Sequence, residues 1–113
     1  MTDHTDKNVA NNQVVIVLMK SPECDATLDY LAADHPDVKR EDLGPYWMVS
    51  SDKGEIVIDL KRVGEELGEP LSLGSWLVIM SSFVGRVMTD PMSFRVTSHM
   101  TDLEGARSAA SAG

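Results

Sequence analysis

Hydrophobic residues along this chain fall into short runs of differing period, and each period predicts an element. Residues 13–20 (QVVIVLMK) are a continuous β-branched run, the pattern of a central strand covered on both faces. Ser21-Pro22-Glu23 follows, with an N-capping serine, a proline suited to the first helical turn and an acid at the positive end of the dipole. Leu28, Leu31 and Ala32 carry helical spacing, so a helix is expected over 22–34. It ends at His35-Pro36, because a residue before proline avoids the helical region. Residues 37–43 alternate weakly, as an edge strand does. Residues 45–50 (PYWMVS) and 55–60 (EIVIDL) read as strands joined by Asp52-Lys53-Gly54, and together predict a β-hairpin.

Lys61 to Leu67 predicts a second, short helix, closed by Gly68 and by Pro70 beyond it. Trp76 to Met88 is the longest strand-like stretch; Ser81-Ser82 and Gly85 interrupt it, which suggests a bulge or bend. Asp90-Pro91 is a turn. Ser93 to Met100 then alternates, with Phe94, Val96 and Met100 opposite Arg95, Thr97 and His99. The order is β-α-β-β-β-α-β-β, an α+β arrangement of mixed or antiparallel sheets with two helices. Periodicity is lost at both ends. Flexible tails are therefore expected over 1–12 and 105–113, around one domain at 13–104.

Charge narrows the function. The net charge is −8, so the basic footprint that nucleic acid requires is missing and an anionic membrane surface would repel the chain. No apolar run approaches the roughly 20 residues that span a bilayer. The polar, acid-containing N-terminus is unlike a secretory signal. The single cysteine excludes a disulfide framework and fits the cytoplasm.

Catalytic constellations are missing. His4, His35 and His99 are far apart, and no spacing suits metal ligation. Cys24 lacks a neighbouring histidine or second cysteine. Gly64, Gly68 and Gly74 fit no phosphate-binding loop, and Glu65, Glu66 and Glu69 suit the wet face of a helix. No cofactor and no metal are expected. Methionine, by contrast, is abundant, with seven residues including Met48, Met80, Met88, Met92 and Met100. Methionine fills irregular cores and also repacks against partners. Tyr46 and Trp47 are adjacent on a strand and point to opposite faces, so one can sit in the core while the other is available for contact; the alternative is that the pair serves the core alone.

Four segments then occur in register: the strand Val14-Val15-Ile16-Val17-Leu18, Gly44-x-Tyr46-Trp47, Glu66-Leu67-Gly68, and Ser81-Ser82-x-x-Gly85-Arg86. Over about residues 13–104 the chain resembles the effector (coupling) proteins of soluble bacterial multicomponent diiron monooxygenases. The Tyr-Trp pair and the double serine are nearest the methane and short-chain alkane or alkene members. The resemblance implies a non-catalytic protein that docks on a diiron hydroxylase. It would tune access of oxygen, substrate and electrons, and couple NADH consumption through an iron–sulfur flavoprotein reductase to hydrocarbon oxygenation.

Carried over by position, Ile79, Met80, Ser81, Ser82 and Phe83 match the segment facing the hydroxylase, and Gly85 and Arg86 match a signature glycine and arginine. Tyr46 and Trp47 complete the expected interface. Gly85 is open to a second reading as a strand kink, Arg86 as a surface ion pair, and Phe83 as a core residue. Two departures point away from methane towards a longer alkane or an alkene. About a dozen residues precede the first strand, and Phe83 stands where the methane protein has a small polar residue. The competing expectation is a stand-alone α+β module that binds a small ligand or self-associates, with an independent enzyme third.

Overall fold

The structure, a computed structural model, describes residues 13–98; the expected tails at 1–12 and 105–113, and the domain's last residues 99–104, lie outside them. The order is β1 (Val14–Met19), α1 (Pro22–Asp34), β2 (Lys39–Asp42), β3 (Tyr46–Ser51), β4 (Glu55–Asp59), α2 (Leu60–Leu67), α3 (Leu73–Ile79), β5 (Met80–Val84), β6 (Arg86–Asp90) and β7 (Ser93–Thr97). The strands form two antiparallel sheets, β2-β3-β1-β5 and β4-β7-β6.

The first helix forms where the capping signals place it. Ser21 accepts the Cys24 N–H at 3.0 Å, Pro22 occupies the first turn, and the His35 N–H closes the end on the Leu31 carbonyl. α2 starts on the Asp59 carboxylate and stops at Gly68, whose φ of 92° is the left-handed conformation a C-terminal glycine supplies.

Four expectations need correcting. β3 and β4 do not form a hairpin: β3 lies between β1 and β2, so both of its hydrogen-bonding edges are taken, and β4 pairs with β7 in the other sheet. The hairpin is β2–β3, turned at Gly44 (φ 89°), while Gly54 (φ 89°) carries the chain from one sheet to the other. Next, Leu73 to Ile79 is a third helix, so the strand expected from Trp76 starts only at Met80. Ser72 accepts the Ser75 N–H at 3.1 Å. Leu73, Trp76 and Leu77 then meet the core at helical spacing while Val78 is 71% exposed. The rest of that stretch divides at Gly85 into β5 and β6, so the element order gains a helix and a strand, and the fold remains α+β. Third, β1 is fully buried on one face only, by Val14, Ile16 and Leu18; Val15 and Val17 are half-buried. Lastly, the alternating strand from Ser93 ends at Thr97; Phe94 and Val96 are buried as expected, and His99 and Met100 lie outside the described residues.

Trp76 is the largest fully buried side chain. Its Nε1–H donates to Thr27 Oγ1 at 3.0 Å, and that hydroxyl donates to the Glu23 carbonyl at 2.7 Å. The ring packs 4.9 Å from Phe94. One side chain therefore ties α3 to α1 and to the second sheet. Tyr30 makes the parallel tie from α1 to β4. Its hydroxyl donates to the Val57 carbonyl at 2.8 Å and accepts the Asp59 N–H at 3.2 Å. His35 Nε2 lies 3.0 Å from the same oxygen. With the one phenolic proton used on Val57, His35 must donate from Nε2. Arg62 of α2 grips Asp34 of α1 through two bonds of 2.9 Å and lies 5.9 Å from the Tyr30 ring centre. This bidentate pair holds the Asp34 carboxyl below its usual pKa.

Gly85 is where the chain leaves the first sheet for the second. Its φ is 134°, and a Cβ there would lie 2.6 Å from the Thr97 carbonyl oxygen and 2.6 Å from Val96 Cγ2. Both conformation and space demand glycine. Gly85→Ala is expected to cost about 2–4 kcal/mol through backbone strain and overpacking. Urea unfolding would show this as a lower midpoint at unchanged slope.

Candidate partner-binding face

β5 is the edge of the first sheet, β6 is the edge of the second, and Gly85 joins them. One continuous ribbon, Met80–Asp90, therefore runs along the margin of both sheets. Its register against β1 pairs Leu18 with Met80, Val17 with Ser82, Ile16 with Phe83 and Val15 with Val84, so Ser81 is the extra residue of a β-bulge. Beyond the bulge, Ser82 and Val84 share the outer face with Val17 and Val15, and Phe83 follows Ile16 towards the core face.

Phe83 is nevertheless 43% exposed, because a side chain on the edge strand overhangs the core. The bulge expected at Ser81-Ser82 falls at Ser81, and Ser82 and Phe83 are both exposed because β5 has no neighbour on its outer side. Ile79, the last residue of α3, is buried, and Met80 is half-buried against the core. These two support the ribbon from below and present little surface. Ser81, Ser82 and Arg86 are exposed. Gly85 takes the kink reading.

Tyr46 and Trp47 divide as strand alternation requires. Trp47 lies opposite Leu18 and packs half-buried against the core, with Lys20 Nζ 5.5 Å from its ring centre and 2.8 Å from Asp42. Tyr46 lies opposite Met19, which is 40% exposed. The outer face of the first sheet thus carries Val15, Val17, Met19, Tyr46, Met48 and Val84, a half-open apolar surface continuous with the β5 edge. Val84, 52% exposed, was missed by sequence reasoning. The signal was its strand parity with Ser82.

Arg40 bonds the Leu28 carbonyl, Arg62 its acidic cluster and Arg95 the Glu55 carboxylate. Arg86 is the arginine without a side-chain hydrogen bond or ion pair among the described residues. The ion-pair reading of Arg86 is therefore not realised within the described chain, and its guanidinium is free to meet a partner. Elsewhere, an open groove of about 830 Å³ lies between α2 and the loop to α3, lined by Leu60, Leu71 and Met92 and rimmed by Lys61, Glu65 and Glu69.

Among the described residues no three His, Cys, Asp or Glu side chains stand close enough to hold a metal, and no helix is long and apolar enough to cross a membrane. Cys24 is buried, and burial pushes its thiol up to about 11, against the pull of a hydrogen bond with the Ser21 backbone. A nucleophile needs the reverse shift.

The MmoB/DmpM family model matches residues 12–97. The chain is 39% identical over 101 residues to methane monooxygenase regulatory protein B of Methylosinus trichosporium, covering 85% of this chain and 72% of that protein. It superposes on the structure of the soluble methane monooxygenase regulatory protein B with a TM-score of 0.64 at 32% identity, covering 82% of this chain and 70% of that one. A chain of the phenol hydroxylase–regulatory protein complex matches with a TM-score of 0.67 at 20% identity, over 75% of this chain and 97% of that one, a likeness of fold.

Two outcomes follow. Phe83→Ala is expected to cost less than about 1.5 kcal/mol of folding stability, whereas Phe94→Ala in the core costs about 3–5 kcal/mol; paired urea titrations compare them. The Cys24 proton is held more tightly in the folded chain than in the unfolded one. That contribution to stability is present below pH 9.0 and lost as pH rises through about 11. Ultraviolet absorbance of the thiolate, taken as the difference between the wild type and Cys24→Ala, is expected to titrate near pH 11 in the native protein and near 9.0 after unfolding.

Proposed function

The chain belongs to the MmoB/DmpM family, and from that premise we propose that it is the non-catalytic regulatory subunit of a soluble diiron monooxygenase, acting by docking on the hydroxylase. The observation that carries this reading is extended similarity to a protein named as a monooxygenase regulator, at 39% identity across 85% of this chain. The ribbon and outer sheet face supply a fitting surface. They are poor in charge from Met80 to Gly85, rich in valine and methionine, and carry an unengaged Arg86 just beyond.

The action follows from thermodynamics. A protein that contributes no reacting group changes a reaction elsewhere only by binding one conformation of its partner better than another. Tyr46, Ser81, Ser82 and Phe83 make the contact on this reading, and Arg86 anchors it with a planar guanidinium. Trp47, Ile79 and Met80 hold the contact residues in place, and Gly85 sets the bend. Methionine at the face adapts to a partner surface that itself moves. The consequence is tighter coupling of electrons, delivered by an iron–sulfur flavoprotein reductase, to oxygenation. The bulky Phe83 at the contact favours a short-chain alkane or alkene larger than methane as the hydroxylase's substrate. The buried, unpaired Cys24 agrees with a cytoplasmic protein.

Reconstitution tests this. Titrating the chain into its hydroxylase and reductase is expected to raise the product rate to saturation and to raise product formed per NADH consumed. No change in either at excess overturns the reading. Arg86→Ala is expected to raise the half-saturating concentration about ten-fold, the size of a 1.4 kcal/mol contact, with an unaltered circular dichroism spectrum.

A further inference from the structure

A sheet edge carries unpaired backbone donors and acceptors and pairs with another strand unless something prevents it. The two sheets present four edges, β2, β5, β4 and β6. β2 (KRED) is fully charged, and three of its four groups are engaged within the chain: Lys39 with Asp52, Asp42 with Lys20, and Arg40 with the Leu28 carbonyl. β4 (EIVID) has an acid near each end, so antiparallel pairing with a second copy about Val57 would set Glu55 against Asp59. β5 carries the Ser81 bulge, which breaks its register.

β6 differs. Its five residues, Arg86-Val87-Met88-Thr89-Asp90, are a charge palindrome centred on Met88. Antiparallel pairing with an identical strand sets Arg86 opposite the second copy's Asp90, Val87 opposite its Thr89, and Met88 against Met88. Two-fold symmetry makes each of the outer pairs twice. The ingredients are accessible: Met88 is 45% exposed, Arg86 has no side-chain partner among the described residues, and Asp90 is exposed. The Asp90 carboxylate is held in position by the Met92 N–H and the Ser93 hydroxyl, both at 2.9 Å, and retains acceptor capacity. β-Branched residues opposite one another, as Val87 and Thr89 would be, suit a strand pair.

We propose that β6 is a self-association edge, through which two copies of this chain pair antiparallel about Met88 and fuse their three-stranded sheets into one of six strands. The occupant is a second copy because an identical strand in antiparallel register supplies the Arg–Asp complementarity at both ends. A five-residue edge buries well under the roughly 1,200 Å² of a stable complex, so the dimer is weak and forms as concentration rises. It also covers Arg86 and therefore competes with hydroxylase docking. That consequence alone rests on the function proposed above; the association itself does not.

Sedimentation equilibrium of the full chain, without hydroxylase, tests the proposal. The weight-average mass is expected to rise from 12.4 kDa towards twice that value as concentration increases. Arg86→Asp and Asp90→Arg chains are each expected to remain monomeric over the same range. Mixed in equal amounts they are expected to associate, because each repairs the other's charge opposition at both ends. A mass that stays monomeric at millimolar concentration overturns the proposal. So does association of either variant alone at wild-type strength, or a mixture of two folded variants that fails to associate. Circular dichroism of each variant establishes the folding. Loss of hydroxylase binding in a chain that still dimerises would count against the proposed function and leave this edge intact.

Discussion

The whole arrangement turns on a backbone crossing that has no room for a side chain. At Gly85 the chain passes from the edge of one sheet to the edge of the other, with the Thr97 carbonyl and the Val96 side chain where a Cβ would sit. That close approach lets a single ribbon border both sheets. It also brings the inner faces of β1 and β7 to one core, where Val14, Ile16, Val96 and Phe94 are all buried. A larger residue would push the sheets apart and separate the apolar overhang at Phe83 and Val84 from the charged edge that begins at Arg86.

Around that crossing the helices are tied down by polar contacts within the core and at its rim. Trp76 reaches Thr27, Tyr30 reaches the β4 backbone, and Arg62 clasps Asp34. Among the described residues no buried side-chain nitrogen or oxygen lacks a partner. Satisfied buried polar groups specify one packing because every alternative leaves some of them unpaired. The exposed Arg62–Asp34 pair adds orientation more than stability. The helical layer is thereby fixed, and adaptability is concentrated at the ribbon and the outer face of the first sheet, where Met19, Met88 and Val84 are exposed.

This division suits a protein whose proposed work is to favour one state of a partner. A rigid core holds the contact surface in register, while flexible thioethers and overhanging apolar groups follow the partner's shape. No reacting group is required of it, and the one buried thiol is held in its unreactive protonated form. The proposed hydroxylase docking and the proposed self-pairing both draw on Arg86, so a single exposed guanidinium would link assembly of the complex to concentration of the free chain.

Local chemistry was legible in the sequence wherever the deciding contacts are local. Ser21-Pro22 announced α1, Gly68 closed α2, Gly54 marked a positive-φ turn, and alternation placed Phe94 and Val96 inside. The division of Tyr46 and Trp47 between two faces followed from strand parity alone. The family's motifs were legible too, and with them the fold class. Pairing was not. β3 and β4 looked like a hairpin because a turn joins them, yet β3 had both edges occupied by strands that the local pattern could not assign. Residues 76–79 looked like the start of a strand because they are apolar at every position, and only packing of Leu73, Trp76 and Leu77 against the core selects the helix. The exposure of Phe83 was likewise undecidable from its neighbours. Its parity points inward, and it is open to solvent because tertiary pairing leaves β5 at the margin, where the core beneath it ends.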